Sequence, residues 1–157
     1  MKILVLSDSH GCMDYMYCAV ESEQPDQILH LGDHAQDARM LQAAFPQIPV
    51  LGVRGNCDWQ DAETEIRVTV FGGIRIYMTH GHLFGVKQTP YRAILAAEEA
   101  DAAVLLYGHT HQAACFCEGA LTVLNPGSCM GTNPITYGVL TVEAGMVQGQ
   151  IQRLEKL

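Results

Sequence analysis

Long hydrophobic runs are missing from this sequence. Its strictly apolar stretches, such as Ile3–Leu6 and Ala102–Tyr107, fall far short of the ~20 residues that a membrane-spanning helix requires, so no transmembrane span is expected. A secretory leader is not expected either, because Ile3-Leu4-Val5-Leu6 is too short for its apolar region and runs straight into Ser7-Asp8-Ser9-His10. Basic residues are scarce: 9 Lys and Arg stand against 17 Asp and Glu, for a formal net charge of -8. Nonspecific nucleic-acid binding and attachment to anionic membranes both need clustered cations, and this composition argues against both. The six cysteines (Cys12, Cys18, Cys57, Cys115, Cys117 and Cys129) form no C-x-x-C pair. They are expected to be small buried apolar residues, not disulfides, in a cytoplasmic protein.

Charge is low in another sense, since only 17% of residues are charged and 48% are hydrophobic. That leaves ample material for a core and too little charge for disorder. No repeat, low-complexity segment or linker divides the chain, so residues 1–157 are read as one domain without a cap.

Short runs rich in Val, Ile and Leu read as buried strands at Lys2–Ser7, Gln27–Leu31, Ile48–Val53, Arg75–Thr79 and Ala103–Tyr107. Helical stretches at about Cys12–Glu23 and Ala35–Phe45 separate the early ones, which predicts parallel strands with helices on their faces. Thr89-Pro90 reads as an N-cap followed by proline at the first helical position, opening a helix to about Ala100. Glu65–Phe71 turns at Gly72-Gly73 into the fourth run as a hairpin. Ala113–Cys117, Ala120–Leu124, Tyr137–Val142 and Met146–Leu154 are strand-like and joined by glycine-containing turns. The expected class is α/β, with two facing sheets flanked by helices.

The tails of the buried runs share an unusual chemistry. Leu6 leads to Asp8-Ser9-His10, His30 to Gly32-Asp33, Val53 to Gly55-Asn56, Met78 to His80-Gly81-His82, and Leu106 to Gly108-His109-Thr110-His111. All seven histidines fall in or beside these tails. The carboxyl edge of an open α/β sheet is where loops converge and ligands bind. In Asp8-x-His10 and His109-x-His111, a spacing of two in extended backbone would point both groups to one side. Gly32, Gly55, Gly81 and Gly108 each adjoin a candidate ligand, where the missing Cβ permits close approach. Asp, Asn and neutral imidazole together suit Mn, Fe, Zn, Co or Ni better than Ca or Mg. Each motif alone is weak, since D-x-H can cap a helix and G-D or G-N can simply turn the chain. Five in this order after five buried runs point to a metal site.

The series D-S-H, G-D, G-N-C-D, H-G-H and G-H-T-H, followed by Asn125-Pro126-Gly127-Ser128, resembles the calcineurin-like metallophosphoesterase superfamily, in particular its small bacterial and archaeal (YfcE-like) phosphodiesterase branch. The resemblance implies a four-layer α/β/β/α sandwich of two mixed sheets flanked by helices. It also implies two divalent ions, manganese first among the candidates and Ni, Fe, Zn or Co after it. Asp8, His10 and His111 would hold one ion, Asn56, His80 and His109 the other, and Asp33 would bridge them. A water or hydroxide shared by the ions would attack phosphorus directly, with no covalent enzyme intermediate.

The wider superfamily often carries histidine where this chain has Cys57, so Cys57 is a catalytic candidate by position, and His82 is the candidate proton donor. Arg54 is a candidate contact for a phosphate oxygen, with pairing to Asp58 as the alternative. Asp58 and His30 are expected behind the ligands, orienting them. Ser9, Thr110 and Asn125 are candidates for touching substrate, and His34 has no assigned role. The expected substrate is a small phosphoester, and two cations beside two carboxylates would make the pocket attractive to phosphate despite the acidic surface. Phosphomonoester hydrolysis on the same site is the first alternative. A protein-binding scaffold of the same fold is the second, disfavoured because all seven ligand positions are filled. The partner surface is left open to a homo-oligomer.

Overall fold

The computed structural model describes residues 1–131 and 134–155. Strands β1 (Lys2–Leu6), β2 (Gln27–His30) and β3 (Val50–Gly52) alternate with helices α1 (Met13–Glu23) and α2 (Ala35–Ala44). The hairpin β4 (Ile66–Phe71) and β5 (Ile74–Thr79) follows, then a 3-10 turn (His82–Phe84), helix α3 (Tyr91–Glu99) and β6 (Val104–Leu106). The chain closes with β7 (Ala114–Glu118), β8 (Leu121–Asn125), β9 (Ile135–Glu143) and β10 (Met146–Leu154).

The strands form two five-stranded sheets, ordered β10-β9-β1-β2-β3 and β4-β5-β6-β8-β7. Within the first, β1, β2 and β3 run parallel and β9 and β10 antiparallel. Within the second, β5, β6 and β8 run parallel, while β4 and β7 pair antiparallel at the edges. Alternation along β1 shows why four layers form. Ile3 and Val5 face the second sheet, where they pack with Leu29, Ile76, Met78 and Leu106. Leu4 and Leu6 face outward onto Met16, Ala19 and Val20 of α1 and Leu41 of α2. On the far side, Tyr77, Leu105 and Val123 pack against Ala93, Ile94 and Ala97 of α3. The α/β, two-sheet sandwich expected from the sequence is the fold observed.

Three local expectations need correction. Strand β3 is shorter than the apolar run Ile48–Val53, because Pro49 has no N–H for the ladder and offers only its carbonyl, to the Ile28 N–H at 3.0 Å. Helix α3 opens one residue late, with Pro90 in the cap position and Thr89 Oγ1 accepting from the Tyr91 N–H at 3.3 Å. The cysteines are all free, as expected, but only Cys129 is buried; Cys57, Cys115 and Cys117 are exposed. The last two sit on β7, an edge strand with little covering it. Among the described residues no helix is long and apolar enough to cross a membrane.

Candidate metal centre

Because β1, β2 and β3 run parallel, as do β5, β6 and β8, their carboxyl ends gather the loops carrying Asp8, His10, Asp33, Asn56, His80, His109 and His111. Hydrogen bonds tie these loops together within each sheet and across the seam between them. The Asp8 N–H donates to Gly32 O at 3.0 Å in the first sheet, the Gly108 N–H donates to His80 O at 2.9 Å in the second, and the His109 N–H crosses the seam to Asp8 Oδ2 at 3.0 Å. A Cβ on Gly108 would collide with Ser7 Oγ and Asp8 Oδ2, and one on Gly55 with the Asp33 carboxylate. Both positions require glycine for that close approach.

Two clusters of ligand atoms result, each with all members within 4.8 Å of one another: Asp8, His10 and His111, and Asp33, His80 and His109. They lie side by side. Asp33 Oδ2 is 3.8 Å from His10 Nε2 in the first, while its Oδ1 is 3.4 Å from His80 Nε2 in the second. Asp8 Oδ2 accepts from Ser7 Oγ at 2.6 Å, but Asp8 Oδ1 is buried without a hydrogen-bond partner, 3.1 Å from His111 Nε2 and 3.9 Å from His80 Nε2. The His80 Nδ1–H donates to Leu31 O at 2.7 Å, which turns the Nε2 lone pair toward the carboxylates and places it 3.2 Å from His109 Nδ1. An orphaned buried oxygen and imidazole nitrogens facing one another fit divalent cations. Asn56 shares the loop but is exposed, its Nδ2 directed to Cys57 Sγ at 3.6 Å.

The local backbone differs from the extended one expected. Asp8, His10, Asp33, His109 and His111 all have positive φ, from 46° to 68°. Asp8 and His10 thus reach one cluster through left-handed turns, and His109 and His111 divide between the two clusters. Such conformations cost non-glycine residues about 1–2 kcal/mol each, and they persist where surrounding structure over-determines them.

Charge follows geometry. Burial would push the Asp33 carboxyl up, but hydrogen bonds and charge from His80 win and hold it well below the usual carboxylate range. Burial likewise opposes protonation of His80, yet Asp33 and Asp8 raise its pKa above the ordinary histidine value. Burial and then the neighbouring His80 charge lower His82 and His109. The exposed Cys57 thiol is pushed up by desolvation and by Asp33, which receives the Cys57 N–H on Oδ1 at 3.0 Å.

His30 and Asp58 lie behind the ligand loops, whereas Arg54, Ser9 and Asn125 depart from their expected partners. His30 is buried; its Nδ1 accepts from the Gly32 N–H at 3.2 Å, so its Nε2–H faces Ser9 Oγ at 2.9 Å. Burial lowers its pKa and keeps that ring neutral. Asp58 takes the His34 and Ala35 N–H groups on Oδ1 and the Gly55 N–H on Oδ2, tying the β2 and β3 loops together. Arg54 does not pair with Asp58; it meets Glu65 Oε1 at 3.3 Å, and His82 Nε2 lies 3.6 Å from that same oxygen. Ser9 and Asn125 are fully buried in hydrogen bonds and so are not surface contacts for substrate. Asn125 Nδ2 donates to Gly108 O and to Thr110 Oγ1, at 3.1 and 2.9 Å, holding the loop of His109 and His111 and engaging the Thr110 hydroxyl.

Three further residues support the site in roles that the sequence does not assign. Asp37, in the first turn of α2, accepts from Ser9 Oγ at 2.6 Å and the Gly11 N–H at 2.8 Å, gripping the chain on both sides of His10. His34 Nδ1 lies 3.2 Å from its other oxygen. Ser128 Oγ donates to Asp8 O at 2.8 Å. Glu65 joins Arg54 to His82 across the β3 and β5 ends.

Known proteins resemble this chain in sequence and in fold. A sequence profile of the calcineurin-like phosphoesterase superfamily domain matches residues 1–145. The chain is 33% identical over 150 residues to a probable metallophosphoesterase, YsnB, of Bacillus subtilis, covering 91% of this chain and 85% of that one. It is 36% identical over 109 residues to the phosphodiesterase YfcE of Escherichia coli, covering 58% of this chain and 52% of that one. The fold superposes with a TM-score of 0.75 on a predicted phosphoesterase from Streptococcus pneumoniae, 26% identical, over 96% of this chain and 97% of the other. It also matches Vps29 of Chaetomium thermophilum at a TM-score of 0.76 and 20% identity, over 98% and 95% of the two chains, a likeness of fold alone.

Proposed function

The chain belongs to the calcineurin-like phosphoesterase superfamily, and on that premise we propose that it is a cytoplasmic, metal-dependent phosphodiesterase working at a two-ion centre. Asp8, His10 and His111 would hold one divalent ion and His80, His109 and Asn56 the other, with Asp33 shared. The observation that carries this reading is Asp33, whose two oxygens address histidines of different clusters, beside the buried and unpartnered Asp8 Oδ1. When bound, such ions lower the pKa of water and offset charge on phosphoryl oxygens.

The chain's own residues do the rest. The Leu31 carbonyl fixes the His80 tautomer that leaves Nε2 free to ligate. Ser7 and the His109 N–H engage one oxygen of Asp8 and leave the other for a cation. His82 would donate a proton to the departing alcohol, a role supported by its ring separation of 5.5 Å from His80 and its reach to Glu65. Arg54, held by Glu65, is in reserve for a phosphate oxygen. Cys57 contributes its backbone N–H to Asp33, and its raised thiol pKa gives no reason to assign it nucleophile work.

The test is hydrolysis of bis(4-nitrophenyl) phosphate against 4-nitrophenyl phosphate by the manganese-loaded protein. The diester is expected to be the better substrate; a preference for the monoester assigns the site to monoester hydrolysis instead, and no turnover of either returns the scaffold reading. His82→Ala is expected to lower kcat by roughly 10²-fold or more on esters with a basic leaving group, and much less on nitrophenyl esters. An equal loss on both would remove His82 from proton donation.

A further inference from the structure

The largest exposed aromatic surface of the described chain stands next to the centre and has no part in it. Trp59, the sole tryptophan, is 73% exposed, more than any other large hydrophobic side chain among the described residues. An indole left in water forgoes substantial burial energy. Its backbone is nevertheless pinned. Arg54 Nη1 donates to Trp59 O at 3.4 Å and to Asp61 O at 3.5 Å, and the Asp61 N–H donates to Asp58 O at 2.8 Å. A fixed loop presenting a free indole is a preorganised platform.

Trp59 forms one wall of a pocket of about 260 Å³ shared with His34, Gln36, Arg39, Cys57 and Gln60. The opposite walls touch the centre: the Cys57 N–H donates to Asp33 Oδ1, and the His34 ring lies 6.3 Å from that of His10. Charge in the pocket is already committed. Arg39 makes a two-pronged pair with Asp61, at 3.2 and 2.7 Å, and the Asp58 carboxylate is occupied by three backbone N–H groups. With no uncommitted cation, the pocket does not suit a second phosphate. It suits a neutral planar group that stacks on the indole and offers donors and acceptors to the exposed amides of Gln36 and Gln60. On the other flank, a pocket of about 470 Å³ contains Lys87 and no aromatic platform equivalent to an exposed indole.

We infer that the Trp59 pocket receives a nucleobase, so that the substrates are nucleoside phosphoesters whose phosphate sits at the metal centre while the base stacks on Trp59. The inference rests on the phosphoesterase reading for the phosphate end only. Its test is the calorimetric Kd of the manganese-loaded protein for adenosine 5′-monophosphate and for ribose 5-phosphate, which share the 5-phosphorylated ribose and differ in carrying adenine or a hydroxyl at C1. The nucleotide is expected to bind about tenfold or more tighter, within the range that base–aromatic stacking supplies, and to quench the single-tryptophan fluorescence saturably. The ratio should fall to about twofold or less in Trp59→Ala and persist in Trp59→Phe. Equal affinities, or a ratio unchanged in Trp59→Ala, overturn the inference. If diesters are not hydrolysed but the base-dependent, Trp59-dependent binding is found, the pocket stands and the phosphodiesterase reading falls.

Discussion

Asp8 Oδ1 faces His111 Nε2 at 3.1 Å in the interior of the seam, and that oxygen accepts no hydrogen bond. A buried acceptor left unpaired costs about 1–3 kcal/mol, more when charged. A cation between carboxylate and imidazole removes that cost in the folded state alone.

Divalent metal is therefore expected to stabilise the fold. At one hundred times its Kd, a single bound ion contributes about 2.7 kcal/mol, or roughly 5–10 °C in Tm for a chain of this size. Thermal unfolding with manganese and with a chelator checks this. Superposable transitions would count against a folded-state metal site.

Asn125 is expected to matter more than its distance in sequence from the ligands suggests. Its side chain holds Gly108 O, Thr110 Oγ1 and the Gly127 N–H, all on or beside the loop that carries His109 and His111. Asn125→Ala should cost about 2–4 kcal/mol, since it strands several buried groups. Because residues behind the ligands orient them, it should also weaken metal binding roughly 10–100-fold. Urea unfolding gives the first quantity and metal titration the second.

The sequence makes the ligands legible and most of their supports illegible, for a physical reason. Asp8, His10, Asp33, His80, His109 and His111 announce themselves because each follows a buried apolar run, and parallel strands send every such tail to one edge. Asp37 obeys no such rule. Its side chain becomes a neighbour of the centre only after α2 docks on the first sheet, whereas Ser128 does follow a buried run and its grip on Asp8 O is what stays hidden. Left-handed φ at Asp8, His10, Asp33, His109 and His111 is equally hidden, since Asp and His are enriched in such backbone yet adopt it in only a small minority of their occurrences. The two-layer division of the core is within reach of the sequence, because alternation along β1 already separates Ile3 and Val5 from Leu4 and Leu6.

Acid and base should act oppositely on the metal-free and loaded protein. His80 has a folded pKa above its ordinary 6.5, so its contribution to metal-free stability is complete below that pH and is lost as pH rises through the raised value. Asp33, lowered from 3.8, contributes above that value and loses its contribution as pH falls through its folded pKa. The two shifts describe one interaction, so metal-free stability from this pair peaks between them. A metal must displace the His80 proton, and its stabilisation grows with pH. The gap in Tm between loaded and metal-free protein is thus expected to widen from about pH 5.5 to about pH 8. A gap independent of pH would mean that His80 is not a ligand.

The most direct test of the two-ion centre is metal counted per chain, by elemental analysis after manganese loading and removal of free ion. Two ions are expected in the wild-type protein and one in His10→Ala. Asp33→Asn should retain at most one and lose diester hydrolysis while keeping its far-ultraviolet circular dichroism. A wild-type chain that binds a single ion, or an Asp33→Asn variant with full occupancy and full turnover, would contradict the account.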